Sequence, residues 1–387
     1  MIGSLRDRGP GDQVPNKRRW DLLNTSFLLG TLSLALVLVP LEFRHSLAHW
    51  GEWVMFGTMF FLIGLGVTAG YHRLYSHRAY QASWPVRFVL LCLAAASFQN
   101  SALQWSSSHR IHHRHVDHDR DPYNSTKGFW YAHWLWVMRA EVTPIEGVAD
   151  MEKDPLVRWQ HKYHFLIGGL VALIPAGVGL LKGELAGYLI IGVLLRIVVT
   201  HHTTFFINSA AHFFGTRPYT DTNTARDNAF LAPFTYGEGY HNYHHMFQWD
   251  YRNGVKWYQF DPTKWLIWSL ALVGLARGLR RVPDAAIRRA RLAMEEKTLL
   301  ASLATSTPAA HRLVAARARL DQALARMQEH VEGWEARKAE RVAQKREAWE
   351  LKKAEWKGAM IQCRAEVRVA YWEWKTARTE ARKLAFA

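Results

Sequence analysis

Residues 24–43 read NTSFLLGTLSLALVLVPLEF, a run of twenty residues in which Glu42 is the single charged side chain. A helix of ~20 apolar residues is long enough to cross the hydrocarbon core of a bilayer. Three further apolar runs occupy residues 53–70, 165–182 and 186–208. The short LKGEL turn joins the last two, so the sequence predicts an all-α integral membrane protein with four transmembrane helices in two hairpins.

Basic residues near the first run indicate its orientation. The loop between the first two crossings has one lysine or arginine, Arg44. The segment 1–23 contains five of them, at Arg6, Arg8, Lys17, Arg18 and Arg19. By the positive-inside rule the amino terminus is cytoplasmic. An even number of crossings then places residues 71–164, everything after residue 210 and the carboxyl terminus in the cytoplasm as well.

Residues 85–104 are also apolar, but a fifth crossing there would put the histidine clusters described below on opposite sides of the membrane. The polar Gln99 and Asn100 also argue against a span. We therefore expect one interfacial helix over 85–104, within a cytoplasmic helical cap. The only two cysteines, Cys92 and Cys363, are too few for a disulfide framework, an iron–sulfur cluster or a zinc finger, so a metal site has to be built from histidine.

The stretch HRIHHRHVDH, which begins at His109, contains five histidines in ten positions. Positions i, i+3 and i+4 share one face of a helix, so His109, His112 and His113 project together. His115 and His118 fall on the opposite side. Three of the five histidines are therefore candidate ligands.

Three more clusters complete the set of candidate ligands. HNYHH repeats the H-x-x-H-H spacing, and Asn208 and His212 lie four residues apart. In HRLYSH the two histidines are five apart, which is a poor spacing on a regular helix, so we expect the helix to end or distort there. The predicted topology places all four clusters on one side of the membrane. The candidate ligands are His72, His77, His109, His112, His113, Asn208, His212, His241, His244 and His245.

Nine histidines and an asparagine exceed what one ion needs, because a catalytic zinc takes three protein ligands and an open position. We therefore expect two metals, and imidazole suits zinc, copper, iron and nickel alike. Asp121, Glu238 and His202 are candidates to orient the ligands by hydrogen bonds. Taken singly, each cluster also fits a solvated loop or a packed polar pair. Their joint occurrence on one side of the membrane favours the metal site, and we expect the distant His45 and His49 to take no part in it.

The complete set of motifs resembles one known family. HRLYSH, HRIHH, NSAAH and GEGYHNYHH, with DRDPYNSTKGFWYAH and DYRNGVKWYQFDPTKW, resemble the membrane-bound acyl-CoA (stearoyl-CoA, Δ9) fatty acid desaturases in their bacterial form, over roughly residues 20–283. The resemblance implies a multi-pass protein of the bacterial inner membrane that uses O2 and two electrons to insert a cis double bond at C9–C10 of a saturated acyl chain.

The resemblance also implies a cofactor of two non-haem irons held by the ten candidate ligands. One iron is expected to bind the five residues His72, His77, His113, His241 and His245. The other is expected to bind His109, His112, His212 and His244, with Asn208 reached through a water. An acyl tunnel would run along the second crossing, with Phe60, Phe61 and Gly64 as candidate lining residues. The alternative interpretation of the two phenylalanines is that they face lipid or pack against other helices.

The sequence departs from the family at one place. Related desaturases carry an acidic residue just before the second histidine box, where it helps to hold the CoA head, but this chain has Ser107 and Ser108. The acyl carrier therefore stays open among acyl-CoA, acyl carrier protein and phospholipid.

The chain divides into the cytoplasmic segment 1–23, a desaturase domain over 24–283 and a tail over 284–387. The tail is rich in Arg, Lys, Glu and Ala, and its apolar residues follow steps of seven. These residues are Leu313, Leu320, Leu324, Met327, Val331 and Trp334, then Val342, Trp349 and Trp356. The pattern predicts one long, charged amphipathic helix. Its open interpretations are a solvated helix, a coiled coil for self-association, a membrane-surface helix and a docking arm.

Composition also bears on partners. No cytochrome b5 motif accompanies the histidine boxes, so we expect a separate electron donor such as a ferredoxin with its reductase. The formal net charge of +16 would attract an acidic donor. Nucleic acid is not an expected partner, because much of the charge lies at membrane edges or beside glutamates in the tail. Two alternative functions remain, a di-iron acyl or lipid hydroxylase and a non-catalytic metal-binding membrane scaffold.

The helix-face argument makes a direct prediction. We expect His109→Ala or His244→Ala to abolish desaturation, because each removes a ligand, whereas His115→Ala and His118→Ala should keep most of it. Double-bond formation by each variant in the same host measures the difference. Equal loss in all four variants would show that the assignment of faces is wrong.

Overall fold

The computed structural model describes residues 20–139, 144–303, 307–339 and 346–385, and most of the segment 1–23 and Val342 of the tail pattern lie outside them. The fold is almost wholly helical, as predicted, and its two strands, Gln81–Ala82 and Ala276–Arg277, have two residues each. The α-helices are α1 Leu22–Ala48, α2 Trp50–Leu65, α3 Trp84–Ala95, α4 Ala102–His115, α5 Trp136–Met138, α6 Ala149–Glu152, α7 Pro155–Ala172, α8 Ile174–Lys182, α9 Leu185–Gly187, α10 Arg196–Asn208, α11 Ala210–Phe213, α12 His241–Met246, α13 Pro262–Leu272, α14 Asp284–Ser302, α15 Pro308–Ala339 and α16 Arg346–Ala385. The π-helices are Gly66–Ser76, Tyr131–Leu135 and Tyr188–Leu195, and Ser125–Lys127 is a 3₁₀-helix.

Four helical segments are long and apolar enough to cross a membrane. They are Leu22–Leu47, Trp50–Ser76, Pro155–Lys182 and Leu185–Phe213. All four predicted crossings fall within these segments, which extend several residues further than the apolar runs do. The prediction of four membrane helices is therefore confirmed. The helical hydrogen bonding continues beyond the apolar runs, so the helices also contain polar residues, such as His72, that lie outside the predicted spans.

The expected single helix over 85–104 is wrong. Helix α3 ends at Ala95, and Phe98 and Asn100 have φ angles of 55° and 70° in the left-handed region. A new helix, α4, begins at Ala102, where the Ser101 side chain accepts a hydrogen bond from the amide of Gln104 at 3.3 Å. At 12 residues, α3 is also too short for a crossing, which needs ~20.

The chain forms two compact units, of which the first comprises residues 20–78, 82–210 and 234–236 within the described ranges. In this unit α3 packs against the end of the second crossing and against α7. Two glycines allow these helices to pack closely, because a side chain at either position would clash with α3. A Cβ at Gly66 would lie 2.7 Å from the Ala94 nitrogen, and one at Gly168 would lie 2.5 Å from the Ala95 oxygen. The buried Arg196 of the fourth crossing donates to the Ala96 carbonyl at 2.8 Å, which gives this intramembrane charge a polar partner.

The second unit comprises residues 79–81, 211–233 and 237–385, again within the described ranges. Around α12 and the start of α14, Tyr243, Phe247, Val282 and Ile287 form an apolar cluster. Asp250 ties the following loop together, since its carboxylate accepts from Arg252 at 2.8 Å, from the Tyr243 hydroxyl at 2.8 Å and from the amide of Val282 at 2.8 Å.

The tail of the second unit is three helices, so the expectation of one long helix is wrong. Helices α14, α15 and α16 share a core of buried apolar residues that includes Leu292, Leu313, Leu320 and Trp374. The apolar stripe predicted from steps of seven is therefore buried within the chain. A heptad pattern identifies the apolar face of a helix, but it does not show whether that face packs against a helix of the same chain or of another molecule.

Ion pairs show that α15 and α16 run antiparallel. Three arginines of α15 lie seven residues apart. Their glutamate partners on α16 lie at the same interval but in the reverse order along the chain. Arg326 contacts Glu366 at 3.1 Å and Arg319 contacts Glu373 at 3.3 Å, while Arg312 pairs with Glu380. Near the end of α15 and the start of α16, the Trp334 ring stacks on those of Trp349 and Trp356, with centroids 5.1 and 4.6 Å away.

Two neighbouring tryptophans of α16 test this arrangement. Trp374 has no exposed surface, whereas Trp372 is 57% exposed. We expect Trp374→Ala to lower the free energy of unfolding of the tail by about 3–5 kcal/mol, because it leaves a cavity in the three-helix core. The urea midpoint for proteolytic loss of the tail from the full chain measures this. Trp372→Ala is the control, and equal midpoints for the two variants would contradict the buried position of Trp374.

Candidate metal centre

The end of the second crossing solves the spacing problem of HRLYSH. The helix becomes a π-helix over Gly66–Ser76, and the His77 amide donates to the His72 carbonyl, five residues back, at 3.0 Å. This wider turn brings the two rings to a centroid distance of 4.7 Å. The distortion expected from the sequence is present, and π-turns are frequent at functional sites.

Helix α4 presents its histidines to the same place. His109 and His112 are buried and His113 is half-buried, whereas His115 is half-buried and His118 is exposed. The Nε2 atoms of His77 and His109 lie 2.8 Å apart, a distance suited to two ligands that converge on one point.

Four imidazoles of the first unit converge, and we call them the first histidine set. One nitrogen each from His72, His77, His109 and His113 lies within 4.8 Å of the others. Burial, and then the neighbouring His72, hold the pKa of His77 well below its usual range, and burial followed by His109 does the same for His113. Neutral imidazole is the form that binds metal, so these rings are ready to act as ligands.

Three imidazoles of the second unit form the second histidine set. The Nε2 atom of His241 lies 3.1 Å from that of His212 and 3.1 Å from that of His245. Helix α12 begins at His241, and His244 is buried on the same helix with 1% of its surface exposed. The Thr224 hydroxyl lies 2.7 Å from Nδ1 of His212 and fixes that ring from behind.

The two sets group the histidines differently from the expected division of ligands between two metals. His109 joins His72, His77 and His113 rather than His112, and His241 and His245 join His212. The reason is helical: residues four apart point in nearly the same direction, so His109 pairs with His113 and His241 with His245. The middle histidine of each box, at the i+3 position, does not join the set formed by the other histidines of its own unit. The four-residue spacing of these histidine pairs in the sequence already indicated this grouping.

Hydrogen bonds support the ligands within the first unit. Asp121 is buried, and its Oδ1 atom lies 2.8 Å from Nδ1 of His112. Burial raises the pKa of the Asp121 carboxyl, but the adjacent His112 and two backbone amides outweigh burial and leave that pKa below its usual value. The Tyr123 hydroxyl lies 3.2 Å from Nδ1 of His109. Such partners fix the direction in which a ligand ring points.

His202 and Glu238, the other two residues expected to orient ligands, also make hydrogen bonds. Nδ1 of His202 lies 3.0 Å from Nε2 of His133, whose Nδ1 lies 2.9 Å from the Ser209 hydroxyl. In the second unit, Glu238 accepts from the Asn253 side chain at 2.6 Å. Asn208 is the last residue of α10 and is half-buried.

Arg110 is a functional candidate that the sequence did not reveal. Its guanidinium donates to the Ser76 carbonyl at 2.9 Å and to the Tyr75 carbonyl at 2.7 Å, which caps the end of the π-helix. It also donates to Asp150 at 2.7 Å. Since Arg110 follows His109, it ties α4 to the segment that bears His77. Arginine has no spacing signature for such a contact, so only the structure identifies it.

The donor set fits a transition-metal centre. All the converging atoms are imidazole nitrogens, the rings of both sets are largely buried, and their carboxylate and hydroxyl partners orient them. Imidazole nitrogen suits iron as well as zinc, copper and nickel. The residues therefore fit the di-iron cofactor that the motifs imply.

Comparison with known proteins agrees with this site. A profile described as fatty acid desaturase matches residues 20–276. The chain belongs to the fatty acid desaturase family. This confirms the resemblance to the fatty acid desaturases.

Three desaturases are between 37% and 46% identical in sequence to this chain over the aligned residues. A probable acyl-CoA desaturase of Schizosaccharomyces pombe is 46% identical over 61% of this chain and 50% of its own length. Acyl-CoA desaturase 1 of Saccharomyces cerevisiae is 42% identical over 63% of this chain and 49% of its own length. Stearoyl-CoA desaturase 5 of Bos taurus is 37% identical over 66% of this chain and 78% of its own length. The chain thus spans about half the length of the two yeast relatives, and all three organisms are eukaryotes, so these relatives do not bear on the bacterial form.

The contact between Asp121 and His112 leads to a prediction. We expect Asp121→Asn to weaken iron binding 10- to 100-fold, because the amide no longer holds the imidazole in its ligating orientation by a charged hydrogen bond. Iron content after dialysis against a graded chelator measures the change. Asp119→Asn, at an exposed position two residues away, is the matched control. Unchanged iron retention in Asp121→Asn would contradict the orienting role.

Proposed function

We propose that this chain is an oxygen-dependent acyl-CoA desaturase. The observation that carries the proposal is the pair of buried imidazole sets on a four-helix membrane fold that belongs to the desaturase family. Its relatives are named acyl-CoA and stearoyl-CoA desaturases, and we extend that activity to this chain. We further propose that the new bond is a cis double bond at C9–C10.

We propose that the ten candidate ligands hold two irons, with each histidine set at the heart of one iron site. His112, His244 and Asn208 complete the coordination. An unactivated methylene offers no acidic proton and no carbonyl to side-chain catalysis, so the bound cofactor supplies the oxygen activation that C–H cleavage needs. The overall reaction consumes O2, two electrons and two protons, removes two hydrogens from the acyl chain and releases two waters.

The chain's own residues prepare the site for this chemistry. Burial lowers the pKa values of His77 and His113 and so favours the neutral imidazole that binds metal. Asp121 and Tyr123 hold the rings of His112 and His109 in place. Arg110 fixes the π-helix end to α4. Together these contacts preorganise the imidazoles before any cofactor binds, which lowers the cost of assembling the site.

We propose acyl-CoA as the carrier of the chain. Ser107, which stands where related desaturases have an acidic residue, is fully buried, and its hydroxyl lies 2.8 Å from the Glu146 amide and 3.1 Å from the Pro144 carbonyl. This side chain serves the loop that follows α5 and is not presented to a head group. The names of the relatives support CoA over acyl carrier protein or phospholipid.

We propose that the acyl tail runs beside the second crossing and ends near Phe60. Phe60 is half-buried and its carbonyl accepts from the Tyr236 hydroxyl at 2.7 Å. The absence of a side chain at Gly64 leaves room for the Tyr236 ring, because a Cβ there would lie 2.0 Å from it. Phe61 is 43% exposed, so its position fits the alternative interpretation as a lipid-facing residue.

We propose that both termini are cytoplasmic and that the electrons come from a separate acidic protein of the ferredoxin type with its reductase. The basic amino-terminal segment supports the orientation. The net charge of +16 supports attraction of an acidic donor.

The fatty acids of a host that expresses the chain test the proposal. We expect new cis unsaturation at C9, located by mass spectrometry after derivatisation of the double bonds, and none with the inactive His109→Ala control. Co-expression of a ferredoxin and its reductase removes electron supply as a limit. New hydroxy acids instead would assign the hydroxylase alternative, and unaltered fatty acids in the presence of donor and bound iron would contradict desaturation.

A further inference from the structure

A second cluster of possible metal ligands lies at the opposite end of the first two crossings. Glu42 and His45 are in the last two turns of α1, and Glu52 is in the first turn of α2. One ligand atom of each lies within 4.8 Å of the other two. We call these three residues the hairpin cluster, because they join α1 and α2 across their connection.

Glu52 is buried to an unusual degree for a carboxylate. It has no exposed surface, and neither of its oxygens has a hydrogen-bond partner within the described part of the chain. The fourth crossing packs directly against the Glu52 carboxylate at Gly187. A Cβ at Gly187 would lie 1.8 Å from Oε1 of Glu52. An unpaired buried carboxylate is strongly unfavourable, so this position demands a proton or a cation.

The neighbours of Glu52 supply the other ligands. Oε1 of Glu42 is also buried without a hydrogen-bond partner, and Nε2 of His45 lies 4.0 Å from it. Two ligands of a tetrahedral zinc lie about 3.4 Å apart when the bonds are 2.0–2.1 Å long. The three ligand atoms lie within 4.8 Å of one another, so side-chain rotations have to shorten each separation by at most about 1.4 Å to reach that distance.

Further contacts hold His45 toward this point. Its ring stacks on that of His49, with centroids 4.3 Å apart and an interplanar angle of 28°. Nδ1 of His49 in turn lies 2.8 Å from Oε1 of Glu184, in the loop before α9. A carboxylate that anchors a histidine beside a ligand is a common means of fixing ligand direction.

We propose that Glu42, His45 and Glu52 bind one divalent transition-metal ion of the zinc class. Two carboxylates balance its charge, and the imidazole favours such an ion over magnesium or calcium, which take oxygen ligands. The site is separate from the histidine sets, because Glu52 precedes His72 by twenty residues of one helical segment, about 30 Å at 1.5 Å per residue. The ion joins α1 to α2 and so stabilises the first hairpin.

Metal counting on the full-length, iron-loaded chain in detergent tests the proposal. The chain is dialysed against Zn²⁺ at a free concentration that half-saturates the wild type, and zinc and iron are measured in the same samples. We expect one zinc per chain at saturation beyond the iron. Glu52→Gln and His45→Gln should bind zinc at least tenfold more weakly with iron unchanged, because each removes one of three ligands.

Matched variants separate this site from surface binding. Glu355→Gln and His311→Gln change exposed residues of the tail and should bind zinc as the wild type does. His45→Gln keeps the test decisive if Glu52→Gln fails to fold, since the His45 side chain is 58% exposed. Absence of zinc beyond the iron in the wild type would overturn the proposal and assign a shared proton to the carboxyl pair. Equal zinc binding by wild type and His45→Gln would overturn it too.

Discussion

The hydrogen bond from the His77 amide to the His72 carbonyl is the contact on which the first unit depends. A regular α-helix directs residues five apart to different sides, so neither ring could face the other without a wider turn. The π-helix over Gly66–Ser76 provides that turn at the end of the second crossing. It also presents Gly66 to α3, and its last carbonyls to Arg110, so the same distortion sets the packing of two neighbouring helices.

Polar groups in the membrane segments follow one rule, that each has to be given a partner inside the protein. Arg196 donates to the Ala96 carbonyl, and the His72 ring lies 4.7 Å from that of His77. Glu52 departs from this rule, because both of its oxygens are buried and neither has a hydrogen-bonding partner within the described part of the chain. The contrast between these residues is the reason that the hairpin cluster stands out as a cation site.

The tail shows how far a charged, heptad-patterned sequence can be interpreted. Its apolar stripe was identified from steps of seven, and the stripe is buried as expected of a helical interface. The partner, however, is another helix of the same tail. Three arginine–glutamate pairs at seven-residue intervals then align α15 against α16, so the charges that make the tail appear solvated also set the register of its hairpin.

The four membrane helices and the clustering of the candidate histidines were predictable from the sequence, because bilayer thickness dictates the length of an apolar run and imidazole is a preferred ligand of transition metals. The spacing of HRIHH also indicated which residues share a face of α4. The break after Ala95 was not predictable, since it depends on left-handed backbone at Phe98 and Asn100, which asparagine adopts readily but which packing has to impose on a phenylalanine. Arg110 and the Glu42, His45 and Glu52 group were hidden for the same reason. Periodicity reveals which face of a helix is apolar or ligating, but the identity of the group that meets that face is decided only when the chain packs.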